Sequence, residues 1–468
     1  MPLDELLSMS TEAQSVFAMR QGARPSLRAD FSWMFAGNAI YASGQFATLM
    51  LLAKLLRPEL VGQYALGLAI VYPVINLTNL QLRAIMTSGT RQQIHFGHYL
   101  SLRLLTTSLA LVIIFAITQF LGYPWELTAV VLMVGMAYAI ESISDVYYAR
   151  LQLNDRMAEI SKSLIARALL SVLGLAVATY VSGNLLWGVA GIVLARVIVL
   201  FGYDICERTH GLGAQSKWCS RNEALTPRLD LAMERELLWV SLPLGIVVLL
   251  AALNSSIPSY FIKHALGERD LGMFAAIGFA ASVGNMAVVS LGQSAFTRLA
   301  RSYAIGNLVA FGSLLSKLLA FGAMIGLSGM TISKLAGREI LTILFRPEYA
   351  DRADLLPWIM AVGGVVYMAQ FLGFGLTAAG FYNSQVVLNI FSNLSLLVAC
   401  YWLVARQGLL GVIFAMLIAA IVQLAASIII LVAAMRTHTH KSAEGVELAR
   451  RHIGLNLFHG NGKAMRGD

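Results

Sequence analysis

Long apolar runs separated by short polar segments follow one another along most of this chain. Each run is long enough to cross about 30 Å of hydrocarbon as a helix that rises about 1.5 Å per residue. The predicted spans are 31–53, 61–82, 100–121, 125–148, 161–181, 185–205, 236–260, 270–296, 310–331, 355–379, 384–405 and 409–435. The pattern therefore predicts an all-α, polytopic membrane protein with about twelve transmembrane helices.

The polar segments between these runs divide the chain into parts. Residues 1–30 and 436–468 are polar tails, and residues 206–235 form a polar connector. The connector separates a first lobe of six helices, 31–205, from a second lobe of six helices, 236–435. The sequence thus predicts two six-helix bundles.

One segment within the second lobe differs from the spans around it. Residues 335–354 carry too many charges to cross a membrane, yet Ile340, Leu341 and Leu344 recur at helical spacing. Such a segment is typical of a helix that lies flat at a membrane surface, and we place it at the outer interface.

An internal repeat supports the division into two lobes. The sequence KLLRPELVGQYALGLAI at 54–70 is matched by KHALGERDLGMFAAIGF at 263–279. Gly62, Tyr64 and Ala65 recur as Gly272, Phe274 and Ala275. With six helices per lobe, both copies have the same orientation in the membrane, so an axis along the membrane normal should relate the lobes around a central cavity.

Composition and charge narrow the class of protein. Only 13% of residues are charged and 58% are hydrophobic, whereas soluble domains carry about a quarter charged residues. With a cytoplasmic N-terminus, the inner segments hold about twenty Lys and Arg and the outer segments about nine, so both termini are predicted to be cytoplasmic. The net charge of +9 arises mainly from Lys and Arg in these loops, and their pattern does not indicate a nucleic-acid-binding surface. The three cysteines do not have the spacing of a metal site or of a disulfide framework.

Three stretches resemble a known family. They read AKLLRPELVGQYALGLAI at 53–70, KHALGERDLGMFAAIGFA with AFTRLAR between 263 and 301, and GREILTILFRPEYADRADLLPWIMAVGG at 337–364. These stretches resemble the polysaccharide and O-antigen flippases of the multidrug/oligosaccharidyl-lipid/polysaccharide exporter superfamily. The resemblance covers about residues 30–435. It implies a cavity that opens alternately to each side of the inner membrane.

The resemblance also implies a cargo, a lipid-linked oligosaccharide of the undecaprenyl-phosphate type moved for polysaccharide synthesis. The protein would then be a transporter and no enzyme, without a resident cofactor or metal. Its partners would be the glycan lipid, membrane lipids and, as a further option, other polysaccharide assembly proteins. The alternatives are a cation-coupled multidrug efflux transporter of the same superfamily and a membrane glycan polymerase or ligase.

Charged residues inside the predicted spans are the candidate site. Arg196 lies near the middle of the sixth span, where a lone cation costs at least about 2.5–3.5 kcal/mol and so must face protein or water. Glu141 and Asp145, one turn apart on the fourth span, are its predicted partners. A structural ion pair between the fourth and sixth spans is an equally open interpretation.

Further arginines add positive charge to the same lobe. Arg167, Arg103 and Arg83 lie toward the predicted cytoplasmic side, and the planar guanidinium group suits phosphate because it forms paired hydrogen bonds. We therefore predict that these residues and Arg196 bind the substrate. Arg83 and Arg103 could instead extend to the membrane interface, and Glu141 or Asp145 could bind a coupling proton or sodium ion.

Overall fold

The computed structural model describes residues 27–87, 95–205 and 227–460. In these ranges every regular secondary-structure element is a helix, as the sequence predicts. In chain order the helices are α1 (Leu27–Leu55), α2 (Pro58–Asn79), α3 (Leu82–Thr87), α4 (Phe96–Phe120), α5 (Trp125–Leu153), α6 (Met157–Ser182), α7 (Leu185–Val199), α8 (Leu231–Ala265), α9 (Glu268–Ala304), α10 (Leu308–Leu344), α11 (Pro347–Ala350), α12 (Leu355–Ala378), α13 (Tyr382–Gln407) and α14 (Leu409–Gly460). The predicted tail 1–30 and connector 206–235 lie mostly outside the described residues.

Local sequence signals set several helix ends. Gly183 ends α6 with a φ of 63°, a left-handed conformation that glycine adopts without a Cβ clash. The next residue, Asn184, starts α7, because its side chain accepts a hydrogen bond of 2.8 Å from the backbone N–H of Leu186. Asn307 caps α10 in the same way through Ala310.

Ten of the described helices are long and apolar enough to cross a membrane, or eleven if the bent α9 is one span. They account for all the predicted spans but the first. Helix α1 occupies that position and is 29 residues long, but it falls outside this set. Its polar residues Asn38, Tyr41 and Gln45 lower its hydropathy, and the structure gives them polar surroundings.

Three irregularities interrupt the long helices. The second predicted span breaks at Leu80 and Gln81, both in the left-handed region at φ near 50°, and the chain resumes as α3. Helix α7 continues into a π-helical turn, Leu200–Asp204. Helix α10 bends at Ala336, which has non-helical torsion angles. The predicted interfacial segment begins at this bend.

The helices form two compact units, one ending at Ala252 and the other beginning at Leu253. The division falls within α8 and so lies beyond the predicted connector. The first turns of α8 belong to the first unit because Leu237 packs against Leu80 and Tyr99. In the second unit, helices α10 and α12 approach closely where Gly326 meets Gly364.

The helix boundaries repeat along with the sequence. Helix α1 ends at Leu55 and α2 begins at Pro58, while α8 ends at Ala265 and α9 begins at Glu268. Each boundary in the second unit therefore lies 210 residues after its counterpart. The repeated sequence encodes the same helix–turn–helix junction twice.

Candidate functional site

The first unit contains a cavity of about 660 Å³. Helices α1, α2, α3, α5 and α6 contribute its walls. The polar and aromatic side chains that line it are Asn38, Tyr41, Tyr72, Asn76, Asn79, Gln81, Arg83, Thr87, Tyr138, Glu141, Ser142, Asp145, Tyr148, Gln152 and Arg167. A membrane-spanning bundle with such a wall holds water or a polar ligand, because hydrocarbon would leave these groups unsolvated.

Glu141 links three helices at this wall. Its carboxylate lies 2.8 Å from Nη1 of Arg196 on α7 and accepts a hydrogen bond of 2.6 Å from the Tyr41 hydroxyl on α1. The guanidinium of Arg196 also stacks 4.6 Å from the ring centre of Tyr138. Only 5% of the Arg196 side chain is exposed, against 24% for Glu141. Arg196 therefore supports the wall from behind, and Glu141 faces the cavity.

A second group of charges surrounds Asp145. Nη1 of Arg83 lies 3.3 Å from this carboxylate, and Nε of Arg83 donates a hydrogen bond of 3.0 Å to Gln152. Nη2 of Arg103 lies 3.6 Å from Asp145 on the other side. Arg103 is fully buried, and its Nη1 donates to both the backbone and side-chain oxygens of Asn79. Arg83 therefore reaches the cavity, whereas Arg103 lies behind its wall.

The break between α2 and α3 places Arg83. Leu80 and Gln81 adopt left-handed torsion angles, a conformation that costs roughly 1–2 kcal/mol for each such residue. Leu80 is held by burial in the core, and Gln81 faces the cavity. Strained residues of this kind persist where the surrounding structure fixes them, and they cluster at functional sites.

A third group joins α5, α6 and the π-helical turn. Nη2 of Arg167 donates a hydrogen bond of 3.1 Å to Asp204, and Ser163 donates one of 2.5 Å to the same carboxylate. Because the single proton of Ser163 is used in this way, Tyr148 must donate in its 2.7 Å bond to Ser163. The Tyr148 ring also lies 5.4 Å from the Arg167 guanidinium. These contacts fix Arg167 at the cavity wall.

The three groups together carry an excess of positive charge. Among the described residues of the cluster, four guanidinium groups meet three carboxylates, which leaves one net positive charge. The guanidinium groups belong to Arg83, Arg103, Arg167 and Arg196, and the carboxylates belong to Glu141, Asp145 and Asp204. Such a cluster can exchange one of its internal ion pairs for an anion that enters the cavity.

The structure brings the predicted site residues together in one place. The predicted contact between Arg196 and Glu141 is present, but Asp145 is not a partner of Arg196 and instead lies between Arg83 and Arg103. Arg83 and Arg167 line the cavity, while Arg103 and Arg196 lie behind it. Their binding of a substrate stays a prediction.

Asp204 is the member of the cluster that sequence reasoning missed. It is the last residue but one of the predicted sixth span, 185–205, and was not considered as a partner for an arginine. The available signal was an acidic residue inside the last turn of an apolar span, because an arginine within a span, such as Arg167, needs an acidic partner. In the structure its side chain is fully buried.

Comparisons with known proteins agree with this architecture. Residues 27–302, more than half of the chain, match the family described as polysaccharide biosynthesis protein. The capsular polysaccharide biosynthesis protein CapF of Staphylococcus aureus is 25% identical over 384 residues, which cover 82% of this chain and 93% of CapF.

Solved transporter structures share the fold. A mutant of the Vibrio cholerae MATE transporter VcmN superposes with a TM-score of 0.58 at 13% identity, covering 88% of this chain and 96% of the transporter. A MOP superfamily transporter from Pyrococcus furiosus gives a TM-score of 0.57 at 15% identity, covering 87% of this chain and 94% of that one. At these identities the likeness establishes the fold alone. The chain is thus a multi-pass membrane protein with the MATE fold, and it belongs to the polysaccharide biosynthesis protein family.

Proposed function

We propose that this protein is a flippase that carries a lipid-linked oligosaccharide from the cytoplasmic to the outer leaflet by alternating access. The observation that carries the proposal is the polar cavity of about 660 Å³ with its arginine cluster in the first unit. A sugar hydroxyl moved into hydrocarbon without a partner costs roughly 4–8 kcal/mol. A polar cavity removes that cost for a glycan crossing the membrane.

The arginines suggest which part of the cargo the cavity binds. Arg83 and Arg167 line it, and Arg103 and Arg196 lie directly behind these side chains and their carboxylate partners. A phosphate or diphosphate between lipid and sugar would take the place of Asp145 as the partner of Arg83. The carboxylates then keep the arginines oriented when no cargo is bound.

The excess positive charge also favours this cargo over an organic cation. A multidrug efflux transporter for cations needs a cavity with a net negative charge, whereas this cluster has a net positive charge. Flipping makes and breaks no covalent bond, so the proposed activity requires side chains that bind the cargo and does not require catalytic residues. We therefore place the protein among transporters rather than glycan polymerases or ligases.

The direction of transport follows from the proposed location. We place the protein in the cytoplasmic membrane with both termini inside, from the distribution of Lys and Arg in the loops. An inside-negative potential favours outward movement of an anion by about 2.3 kcal/mol per charge per 100 mV. A proton or sodium ion bound at Glu141 or Asp145 would add to this driving force.

A deletion strain tests the proposal through Arg83, whose side chain is 27% exposed at the cavity. Without the gene, cells should accumulate a lipid-linked oligosaccharide on the cytoplasmic side, identified by mass spectrometry. The wild-type gene should clear it. Arg83→Ala should leave at least about tenfold more intermediate than the wild-type gene does, because the variant lacks a side chain that binds phosphate. The amount of protein in the membrane should be unchanged. Arg83→Lys should restore only part of the flux because lysine lacks the paired donors.

Lys162→Ala is the matched control. Lys162 lies on α6 in the same unit but is exposed outside the cavity, where it pairs with Glu159 at 3.1 Å. This variant should clear the intermediate as the wild type does. A deletion strain without any accumulated lipid-linked glycan would refute the proposed cargo.

A further inference from the structure

The charge cluster leaves one part of the cavity unexplained. Tyr72 on α2 and Tyr138 on α5 face each other with ring centres 5.1 Å apart and planes inclined by 54°. Tyr138 lies seven positions before Asp145, the ion-pair partner of Arg83, which is about 10 Å along the helix. The two tyrosines therefore mark one end of the cavity and Arg83 marks the other.

The two rings form a supported aromatic surface. The guanidinium of Arg196 lies 4.6 Å from the ring centre of Tyr138 and holds that ring from behind. Tyr138 in turn packs against Tyr72, which is 43% exposed and lines the cavity. A large aromatic surface that is held in place and open to a polar cavity is suited to binding a ligand rather than to forming core.

Amide groups lie beside this surface. Asn76 is one turn after Tyr72 on α2, and its Nδ2 donates a hydrogen bond of 2.9 Å to the backbone oxygen of Tyr72. Within the described part of the chain this is the bond that the structure gives to the Asn76 side chain. Its carbonyl oxygen and second N–H can therefore pair with a ligand. Asn38 on α1 is bound to its own helix in the same manner and also lines the cavity.

A sugar ring matches both features. One face of a pyranose carries C–H bonds that pack on the electron-rich face of an aromatic ring, and its edge carries hydroxyl groups that both donate and accept hydrogen bonds. We propose that Tyr72, supported by Tyr138, and Asn76 form a subsite for the sugar ring that follows the phosphate groups of the cargo. This inference rests on the proposed function and assigns the two ends of the cavity to two parts of one ligand.

The spacing of the two ends fits such a ligand. Tyr138 and Asp145 lie two turns apart on α5, which is about 10 Å. A diphosphate paired with Arg83 beside Asp145 would extend its first one or two sugar rings to the tyrosines. Between the two ends, Ser142 and Glu141 supply further polar groups to the wall.

Binding measurements on the purified full-length protein in detergent test the subsite. The probes are a polyprenyl diphosphate and the same lipid carrying one N-acetylhexosamine. The wild type should bind the sugar-bearing lipid at least about tenfold more tightly than the bare lipid. Tyr72→Leu should abolish that difference and leave the affinity for the bare lipid unchanged. Tyr72→Phe keeps the ring and should retain most of the difference.

Tyr180→Leu is the matched control, because Tyr180 is an 81% exposed tyrosine of the first unit that does not line the cavity. It should bind both probes as the wild type does. Two results would overturn the subsite while leaving the proposed cargo intact. One is an equal loss of affinity for both probes in Tyr72→Leu, and the other is an equal affinity of the wild type for both probes. A wild-type protein that binds neither probe would overturn the proposed function itself, and the subsite with it.

Discussion

Single residues in this cavity owe their position to charge pairing inside an apolar bundle. The described charged side chains that are buried all lie in the first unit: Arg103, Arg150, Arg167, Arg196, Asp204 and Glu234. The concentration of ionisable residues in the first six spans was visible in the sequence, and so was the pairing of Arg196 with Glu141. The need to neutralise an intramembrane arginine restricts its partners to a few acidic residues.

Which carboxylate meets which arginine could not be predicted at this scale. Asp145 is one turn from Glu141, yet it faces Arg83 and Arg103 because α3 and α4 lie on that side of α5. The rotation of each helix about its axis decides such contacts, and the hydrophobic pattern of these apolar spans does not fix that rotation closely enough to choose between Glu141 and Asp145.

Glu141→Gln tests the central pair. The substitution leaves Arg196 buried without a counter-ion, and it should lower stability by about 2 kcal/mol. This figure is below the value for a fully buried pair because 24% of the Glu141 side chain is exposed. Thermal unfolding of the purified protein should show a lower midpoint. Glu126→Gln, at an exposed position in the first turn of the same helix, should melt with the wild type.

Glu141→Gln also tests ion coupling. If Glu141 carries a coupling ion, flipping in proteoliposomes should depend on a proton or sodium gradient, and the variant should lose that dependence. Wild-type transport that responds to neither gradient would remove Glu141 from any coupling role.

At the scale of elements, the π-helical turn Leu200–Asp204 decides whether Asp204 meets Arg167. Such a turn accommodates one residue more than an α-helix and often occurs at functional sites. The sequence LFGYD contains no signal that separates a π turn from an α turn. The break at Leu80 and Gln81 was missed for a related reason, since neither residue is a typical turn former.

Deleting Gly202 tests the turn. Loss of one residue should close the π turn into a regular α-helix and turn Asp204 by a fraction of a turn, out of its contact with Arg167. The expected result is a lower melting midpoint and reduced export, matching those of Asp204→Asn. Combining the deletion with Asp204→Asn should lower the melting midpoint and export little further than either change alone, because both changes remove the same contact.

Gly202→Ala provides the control for this deletion. A Cβ at position 202 would meet no atom within 4 Å, so the substitution should leave both export and stability near wild type. A deletion variant that melts and exports like the wild type would show that Asp204 does not depend on the π turn.

At the scale of the whole molecule, hydropathy predicted the helical class and nearly all the spans, because a lipid environment requires long apolar helices. The compact units divide between Ala252 and Leu253 within α8, whereas the predicted connector spans residues 206–235. Packing of Leu237 with the first unit sets that division, and such contacts are invisible to a hydropathy pattern.

The predicted orientation is open to direct measurement. In a background without native cysteines, Glu348→Cys should react with a membrane-impermeant maleimide in intact cells, because positive-inside counting places it outside. Ile305→Cys, in an exposed turn after α9, should react only after permeabilisation. The reverse labelling pattern would invert the topology and the assignment of the termini.

The repeated junctions 210 residues apart have an evolutionary consequence. Duplication of an ancestral gene would account for two helix pairs with the same boundaries. Among the described residues, buried charge is confined to the first unit, so the two copies do not serve the same role. Tolerance of amino-acid substitution should therefore differ between the two halves of the chain. A saturation mutagenesis screen should find the interior of the first half intolerant of exchange, while the interior of the second half accepts most apolar replacements.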